Sequence, residues 1–173
     1  MIALVLGGAS SGKSLVAEEL AGSLGGAVTY VATAVPDPGD ADHLARIAAH
    51  RTRRPADWVT VECAAAADLA GHLRRLDGVA LVDSLGTWIA LKPGFDVAEE
   101  TADLLAAVAQ RDAPTVLVSE EVGLAVHPPS EAGRRYVEAV GALNQRIAAV
   151  ADTVLLVVAG RALELPSPQG GSC

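Results

Sequence analysis

Residues 7–14 have the types and spacing needed to bind a phosphate. They read G-G-A-S-S-G-K-S and directly follow the apolar run 2–6. A strand, a turn of the form G-x-x-x-x-G-K-S and a helix together form a phosphate-binding loop. The glycines allow backbone N–H groups to turn inward around an anion, and a side chain at Gly7 or Gly12 would obstruct that turn. The alternative is a glycine-rich turn without a ligand.

The loop therefore predicts a site for a nucleoside triphosphate. The helix that begins near Lys13 adds the partial positive charge of its N-terminus. In this type of loop the lysine reaches the β- and γ-phosphates and the following serine binds Mg²⁺. The predicted nucleotide contacts of the loop are Gly7, Gly8, Ala9, Ser10, Ser11, Gly12, Lys13 and Ser14.

Carboxylates follow two further apolar runs. Asp83 comes directly after residues 79–82, and Glu120 and Glu121 come after residues 115–118 and Ser119. An acid at the end of a strand typically supports Mg²⁺ in phosphate-loop enzymes, which makes Asp83 a candidate metal ligand beside Ser14. Glu121 is the third candidate. Either glutamate could position or deprotonate an attacking hydroxyl, or both could be solvated loop residues.

A cationic segment lies at residues 46–58, although the chain carries a net charge of −8. It contains four of the thirteen basic residues and also His50. Such a segment favours an anionic partner, and the triphosphate is one. Neighbouring guanidinium groups disfavour a charged imidazole, so a neutral His50 could attack an α-phosphate and release pyrophosphate. From spacing alone, a histidine among arginines is more often part of the solvated face of a helix.

Composition limits the other functions. A length of 173 residues predicts one domain with a substantial core. The negative charge argues against binding to nucleic acid or an anionic membrane. Charged residues, glycine or proline interrupt every apolar run before 18 residues, and the first segment lacks the pattern of a signal peptide. Two cysteines are too few for a disulfide framework. We therefore expect a cytoplasmic protein without stable membrane insertion.

Alternation of apolar runs and helical patterns predicts an α/β fold. Apolar residues at consecutive positions are typical of strands buried on both faces of a mostly parallel sheet, with helices on both faces. We predict strands at 2–6, 27–32, 58–61, 79–82, 115–118 and 153–158, and helices at 13–24, 41–50, 65–76, 97–110 and 131–150. Residues 1–165 would form the domain, and residues 166–173 a flexible tail.

These motifs together resemble the bifunctional adenosylcobinamide kinase / adenosylcobinamide-phosphate guanylyltransferase family of cobalamin synthesis. The resemblance extends from Met1 to about Leu163. It rests on the phosphate loop and on a histidine followed by R-P-x-x-W-x-T-x-E, which is far more specific than the loop alone. The further matching segments are Y-V-A-T-A at 30–34, L-V-D-S-L-G-T-W at 81–88, V-S-E-E-V-G at 118–123, G-R-R-Y at 133–136 and G-A-L-N-Q-R-I-A at 141–148.

The resemblance implies a single P-loop NTPase domain of the RecA-like type, assembled as a homotrimer. It implies that adenosylcobinamide is first phosphorylated by ATP or GTP with Mg²⁺. His50 would then accept GMP from GTP and pass it to adenosylcobinamide phosphate, giving adenosylcobinamide-GDP. Lys13 and His50 would be the catalytic residues. The nucleotide contacts implied outside the loop are Ala32, Thr33, Ala34, Arg51, Thr52, Arg53, Arg54, Glu62 and Asp83.

The chain departs from the family pattern at three positions. Family members usually have arginine where this chain has Ser10, and asparagine where it has Glu120 and Leu91. The first change removes a cation near the phosphates, and the second adds a carboxylate near the predicted metal site. Two alternatives to the bifunctional enzyme follow from the residues: a simple small-molecule kinase in which His50 takes no part, and a GTP-binding module without chemistry.

Overall fold

The computed structural model describes residues 1–37, 39–66 and 68–167. The predicted tail therefore lies largely outside the described residues, which end before residue 168. The strands are β1 (Ile2–Gly7), β2 (Val28–Ala32), β3 (Val59–Glu62), β4 (Val79–Asp83), β5 (Thr115–Glu120), β6 (Thr153–Val158) and β7 (Arg161–Glu164). The α-helices are α1 (Lys13–Ser23), α2 (Ala41–Arg53), α3 (Asp68–Arg75), α4 (Leu85–Ala90), α5 (Ala98–Ala109) and α6 (Glu131–Ala148).

The strands form one sheet in the order β3-β2-β4-β5-β1-β6-β7. All neighbouring strands are parallel except β7, which is antiparallel to β6. The parallel strands bring their carboxyl ends to one edge, where Gly7 pairs with Glu120 and Ala32 pairs with both Glu62 and Asp83. Residues that are far apart in sequence thus meet at the edge where open α/β sheets bind ligands.

Helices cover both faces of the sheet, as the sequence predicted. In β1, Ala3 and Val5 pack on the side of α1, whereas Leu4 and Leu6 pack on the side of α3, α4, α5 and α6. All four of these side chains are buried. A strand covered on both faces needs apolar residues at successive positions, which explains the uninterrupted apolar runs in the sequence.

Three elements were not predicted: α4, a 3₁₀ turn at Pro93–Phe95, and β7. Helix α4 has only six residues, too few for a helical repeat to show, and a capping box between Ser84 and Thr87 begins it. Strand β7 is exposed at every position and so lacks an apolar pattern. It follows a tight turn in which Ala159 and Gly160 both have positive φ.

No helix among the described residues is long and apolar enough to cross a membrane.

Arg111 binds several backbone carbonyls at the end of the sheet opposite the carboxyl edge. A groove of about 420 Å³ lies between α3 and α5, and Arg111 lines it. The Arg111 guanidinium donates to the carbonyls of Leu73 at 2.6 Å, Leu76 at 2.7 Å and Gly78 at 2.6 Å. Its Nε also donates to the Thr115 hydroxyl at 3.0 Å. One side chain therefore binds three carbonyls of the segment that connects the last turn of α3 to β4.

We expect Arg111→Met to lower the free energy of unfolding by about 1–3 kcal/mol, because it leaves half-buried carbonyls without donors. The control is Arg74→Met, since Arg74 lines the same groove but forms an exposed ion pair with Asp103. That change should cost no more than about 1 kcal/mol. Urea unfolding followed by circular dichroism measures both values, and equal losses would contradict the role assigned to Arg111.

Candidate active site

The phosphate loop has the backbone that its glycines predicted. Gly12 has φ of 92°, a conformation that favours glycine, and it directly precedes α1. A Cβ atom on Gly7 would lie 2.4 Å from the Ser11 hydroxyl and 2.9 Å from the Val157 carbonyl. The expectation that side chains at Gly7 and Gly12 would obstruct the turn is thus confirmed. Gly12 provides no side-chain cap for α1, and the Lys13 N–H donates to the Ser11 hydroxyl at 3.3 Å. The N-terminus of α1 therefore faces the loop, where its partial positive charge favours an anion.

The turn between β6 and β7 supports this loop from one side. The Gly160 N–H donates to the carbonyl of Ser11 at 2.8 Å. A Cβ atom on Gly12 would lie 3.1 Å from the Gly160 Cα, so the two backbones are in close contact. Sequence analysis identified the loop but not this support, because nothing in the pattern of residues 159–164 indicates it.

Lys13 lies at the start of α1 and turns back over the loop. Its Nζ donates to the Gly8 carbonyl at 3.3 Å and lies 3.6 Å from Oε1 of Glu120. The side chain is only 12% exposed. Lys13 therefore lies over the loop that is predicted to bind a phosphate, and its charged partner in the structure is the carboxylate of Glu120 at the end of β5.

Asp83 ends β4 and lies between the loop and α2, with only 9% of its side chain exposed. The Tyr30 hydroxyl donates to its Oδ2 at 2.7 Å, and Nδ1 of His50 lies 3.7 Å from the same oxygen. Burial raises the pKa of Asp83, but its contacts with His50, Tyr30 and Ser14 outweigh that effect and hold the pKa below the usual value. The carboxylate is therefore ionised at neutral pH.

His50 lies in the last turn of α2, and its side chain is 32% exposed. Sequence analysis placed guanidinium groups around this imidazole, but the structure pairs the arginines that follow it with other groups. Arg51 forms an ion pair with Glu62, and Arg53 forms one with Glu18. The group within ion-pair distance of His50, among the described residues, is the carboxylate of Asp83.

Arg54 instead packs on an aromatic ring. Its guanidinium carbon lies 3.2 Å from the centroid of the Tyr30 ring, and Nη1 donates to the Thr60 hydroxyl at 3.3 Å. Burial and the Asp83 carboxylate raise the pKa of Tyr30, so its hydroxyl remains a donor to Asp83. Tyr30 was noted in the sequence only as part of a matching segment. Its contact with Asp83 could not be predicted, because it depends on β2 and β4 being neighbours.

A groove of about 500 Å³ opens beside the end of α2 and β3. It is adjacent to the carboxyl edge of the sheet, and Arg51, Arg54, Trp58, Thr60 and Glu62 line it. The cationic segment and the carboxyl ends of the strands thus form one continuous surface. Thr52 was predicted to contact the nucleotide, but its hydroxyl donates to the Ala48 carbonyl within α2.

The segment 32–34 is held by its backbone and by Thr33. The Thr33 side chain is fully buried and donates to the carbonyl of Ser84 at 2.6 Å, while its N–H donates to the carbonyl of Asp83 at 3.3 Å. This fixes Ala32 and Ala34 next to the end of β4. Thr33 therefore positions the end of β2 through its buried side chain.

Glu120 and Glu121 lie in different surroundings. Glu120 accepts hydrogen bonds from Ser84 Oγ at 2.8 Å and from the Gly86 N–H at 2.9 Å, next to Lys13. Glu121 accepts from the N–H of Gly123 at 2.6 Å, within its own loop. Of the two acids, the structure brings Glu120 to the phosphate loop, whereas the sequence analysis selected Glu121 as the metal ligand. Glu121 remains a prediction.

The fold and the loop define the class of protein, an α/β domain of the P-loop NTPase type. Solved structures with the same fold include the flagellar accessory protein FlaH from Methanocaldococcus jannaschii, with a TM-score of 0.53 and 14% identity over 95% of this chain and 77% of that one. A KaiC-like protein from Pyrococcus horikoshii gives a TM-score of 0.52 and 15% identity, covering 90% of this chain and 71% of that one. At such identities the likeness shows the fold alone.

Sequence relatives narrow the class to one family. The family model described as cobinamide kinase / cobinamide phosphate guanyltransferase matches residues 3–165. The bifunctional adenosylcobalamin biosynthesis protein CobP of Pseudomonas aeruginosa is 42% identical, over 97% of this chain and 96% of its own length. The protein CobU of Salmonella typhimurium is 35% identical, over 92% of this chain and 97% of its own. The chain belongs to the cobinamide kinase / cobinamide phosphate guanyltransferase family, as the sequence motifs indicated.

Gly86 lies where Glu120 and Tyr136 approach α4. A Cβ atom there would lie 2.0 Å from Oε2 of Glu120 and 2.5 Å from the Tyr136 hydroxyl oxygen. We expect Gly86→Ala to lower the free energy of unfolding by about 1–3 kcal/mol, because the added methyl must displace both groups. Thermal and urea unfolding would measure the loss.

The control for this change is Gly141→Ala in α6, where a Cβ atom would meet nothing within 4 Å. That variant should be as stable as the original chain, or more stable by about 0.5–1 kcal/mol, because alanine favours a helix. If Gly86→Ala is as stable as Gly141→Ala, the close approach of Glu120 to α4 is contradicted.

Proposed function

We propose that this chain phosphorylates adenosylcobinamide with ATP or GTP and then transfers GMP from GTP to adenosylcobinamide phosphate, with His50 as the covalent carrier. The observation that carries the proposal is the position of His50 beside Asp83, a carboxylate that also contacts Ser14 of the phosphate loop. This arrangement supports the proposal, because the imidazole of His50 lies near the loop that we propose binds the triphosphate. The family assignment supports both activities.

The phosphorylation step uses the loop and Lys13. The substrate hydroxyl oxygen attacks the γ-phosphorus, a new O–P bond forms, and the bond to the β-phosphate oxygen breaks. The nucleoside diphosphate leaves with that electron pair, and the hydroxyl proton is released. In phosphoryl transfer the protein contributes mainly positioning and compensation of charge. The N-terminus of α1 and the ammonium of Lys13 supply both.

The guanylyl transfer step uses His50. One imidazole nitrogen attacks the α-phosphorus of GTP, an N–P bond forms, and the bond to the β-phosphate oxygen breaks, so pyrophosphate leaves. A phosphate oxygen of adenosylcobinamide phosphate then attacks the same phosphorus and the N–P bond breaks. Because Nδ1 faces Asp83, Nε2 is the imidazole nitrogen that remains for the attack.

We propose that the arginines after His50 bind the nucleotide by exchanging their present partners within the chain for groups of the ligand. Arg51 and Arg54 line the groove beside β3, and Glu62 is exposed there. The approach of a phosphate or a guanine base to this groove offers the guanidinium groups a new partner. Arg53 is bound to Glu18, which is buried, so we assign it a weaker part in nucleotide binding.

Ser14 and Asp83 are the proposed ligands of Mg²⁺, with Glu121 as a third. The hydroxyl and carboxylate lie in contact, and both are oxygen donors of the kind that magnesium prefers. No group of three or more histidine, cysteine, aspartate or glutamate side chains among the described residues could hold a metal ion alone. This fits an ion that takes its remaining ligands from phosphates and water. When bound, Mg²⁺ would compensate the charge of the triphosphate.

We further propose that the chain assembles as a homotrimer, on the basis of the family resemblance. Light scattering coupled to size-exclusion chromatography would give the assembled mass, to be compared with 17.5 kDa for one chain.

The histidine carrier gives a direct test. After incubation with GTP labelled at the α-phosphate, the protein should carry label that is lost in acid and retained in base, as expected for a phosphoramidate. His50→Asn should remove the label by at least about 100-fold, because no nucleophile replaces the imidazole. The variant should still phosphorylate adenosylcobinamide. Loss of both activities would show that His50 is structural, and absence of label in the original chain would favour the simple kinase.

Lys13→Ala tests whether both steps use one triphosphate site. We expect it to lower adenosylcobinamide phosphorylation and His50 labelling by at least about 100-fold each, since charge compensation is lost in both. Arg75→Ala, a charge-matched change of an exposed residue in the last turn of α3, at the opposite end of the sheet, should leave both rates within a factor of about 2. Labelling that survives in Lys13→Ala would mean that the α-phosphate is held elsewhere.

A further inference from the structure

Glu120 is fixed from two sides at the end of β5. Its Oε1 accepts a hydrogen bond from Ser84 Oγ at 2.8 Å, and its Oε2 accepts one from the Gly86 N–H at 2.9 Å. Both donors belong to the start of α4, which Ser84 caps. The carboxylate therefore lies in a preset position, and its side chain is only 24% exposed.

Of the two side chains in the Lys13–Glu120 pair, that of Lys13 can change its position more easily. Its ammonium lies 3.6 Å from Oε1 of Glu120, and its other hydrogen bond is to the Gly8 carbonyl at 3.3 Å. Lysine has a flexible four-carbon stem, whereas Glu120 cannot follow it without breaking two hydrogen bonds. When the ammonium moves to a phosphate, it therefore leaves the carboxylate behind.

We propose that Glu120 is a positioning residue that holds Lys13 in the nucleotide-free site and competes with the phosphates for its ammonium. The proposal rests on the proposed function only in taking Lys13 as a phosphate ligand. Because both side chains are largely shielded from water, their attraction is stronger than that of an exposed pair. Every polyphosphate ligand must draw the Lys13 ammonium away from Glu120, so triphosphate and pyrophosphate bind more weakly and pyrophosphate leaves more readily. The asparagine that is usual in the family cannot compete in this way.

The test is a double-mutant cycle with GTP as the probe. Glu120→Gln keeps the size of the side chain and one of its two acceptor oxygens but removes its charge. The amide oxygen can still accept from the Gly86 N–H, and the amide NH2 can donate to the Ser84 hydroxyl oxygen. We expect it to lower the Kd for GTP and for pyrophosphate by about 3- to 10-fold each, as measured by isothermal titration calorimetry. In the Lys13→Met background the same change should alter the Kd for GTP by less than about 2-fold, as measured by equilibrium dialysis at millimolar GTP.

Asp112→Asn is the matched control, because Asp112 is exposed in the turn before β5, at the opposite end of the sheet. It should leave the Kd for GTP unchanged. An unchanged or weaker affinity in Glu120→Gln would overturn the proposal, and so would equal tightening in the Lys13→Met background, which would show simple repulsion between carboxylate and phosphate. Labelling of His50 is measured separately, so its failure would overturn the carrier role and leave the affinity result valid.

Discussion

A buried carboxylate at the end of β4 connects the parts of this site. Asp83 receives a hydrogen bond from Tyr30, contacts Ser14 of the phosphate loop and lies beside His50 of α2. An ionised carboxylate can be buried only where donors compensate its loss of water. The donors that keep Asp83 charged therefore also hold the loop, β2 and α2 in one arrangement. The position of His50 depends on this interaction more than on the arginines next to it in sequence.

Two pairs of oppositely charged or chargeable groups lie side by side at the carboxyl edge of the sheet. Asp83 at the end of β4 faces His50, and Glu120 at the end of the neighbouring strand β5 faces Lys13. In the proposed chemistry His50 reacts at the α-phosphate while Lys13 serves the β- and γ-phosphates. One bound triphosphate can thus be used in two ways, because the groups that act on its two ends are carried by different elements and are fixed by different carboxylates.

The sequence predicted those features that are local. The phosphate loop is a run of eight residues, and six of the seven strands were predicted from runs rich in apolar residues. Burial on both faces explains the consecutive apolar residues of β1, β4 and β5, whereas β3 is mostly exposed. Pairings between distant residues were not predictable. The contact of Tyr30 with Asp83 and that of Arg53 with Glu18 require β2 to lie beside β4 and α2 to lie near α1, which is a property of strand order. Helix α4 and strand β7 were too short or too exposed to leave a pattern.

The sequence predicted guanidinium groups around His50, whereas the structure places the carboxylate of Asp83 beside it. Local composition is thus a poor guide to the charge around a single side chain. Guanidinium groups adjacent in sequence project from a helix in different directions, since successive residues are about 100° apart around its axis. Arg51 and Arg53 accordingly reach acids on different elements, Glu62 in β3 and Glu18 in α1. What His50 contacts is decided instead by the strand that ends beneath the last turn of α2. In this chain Asp83, which ends that strand, is therefore a better guide to the charge beside His50 than the adjacent arginines are.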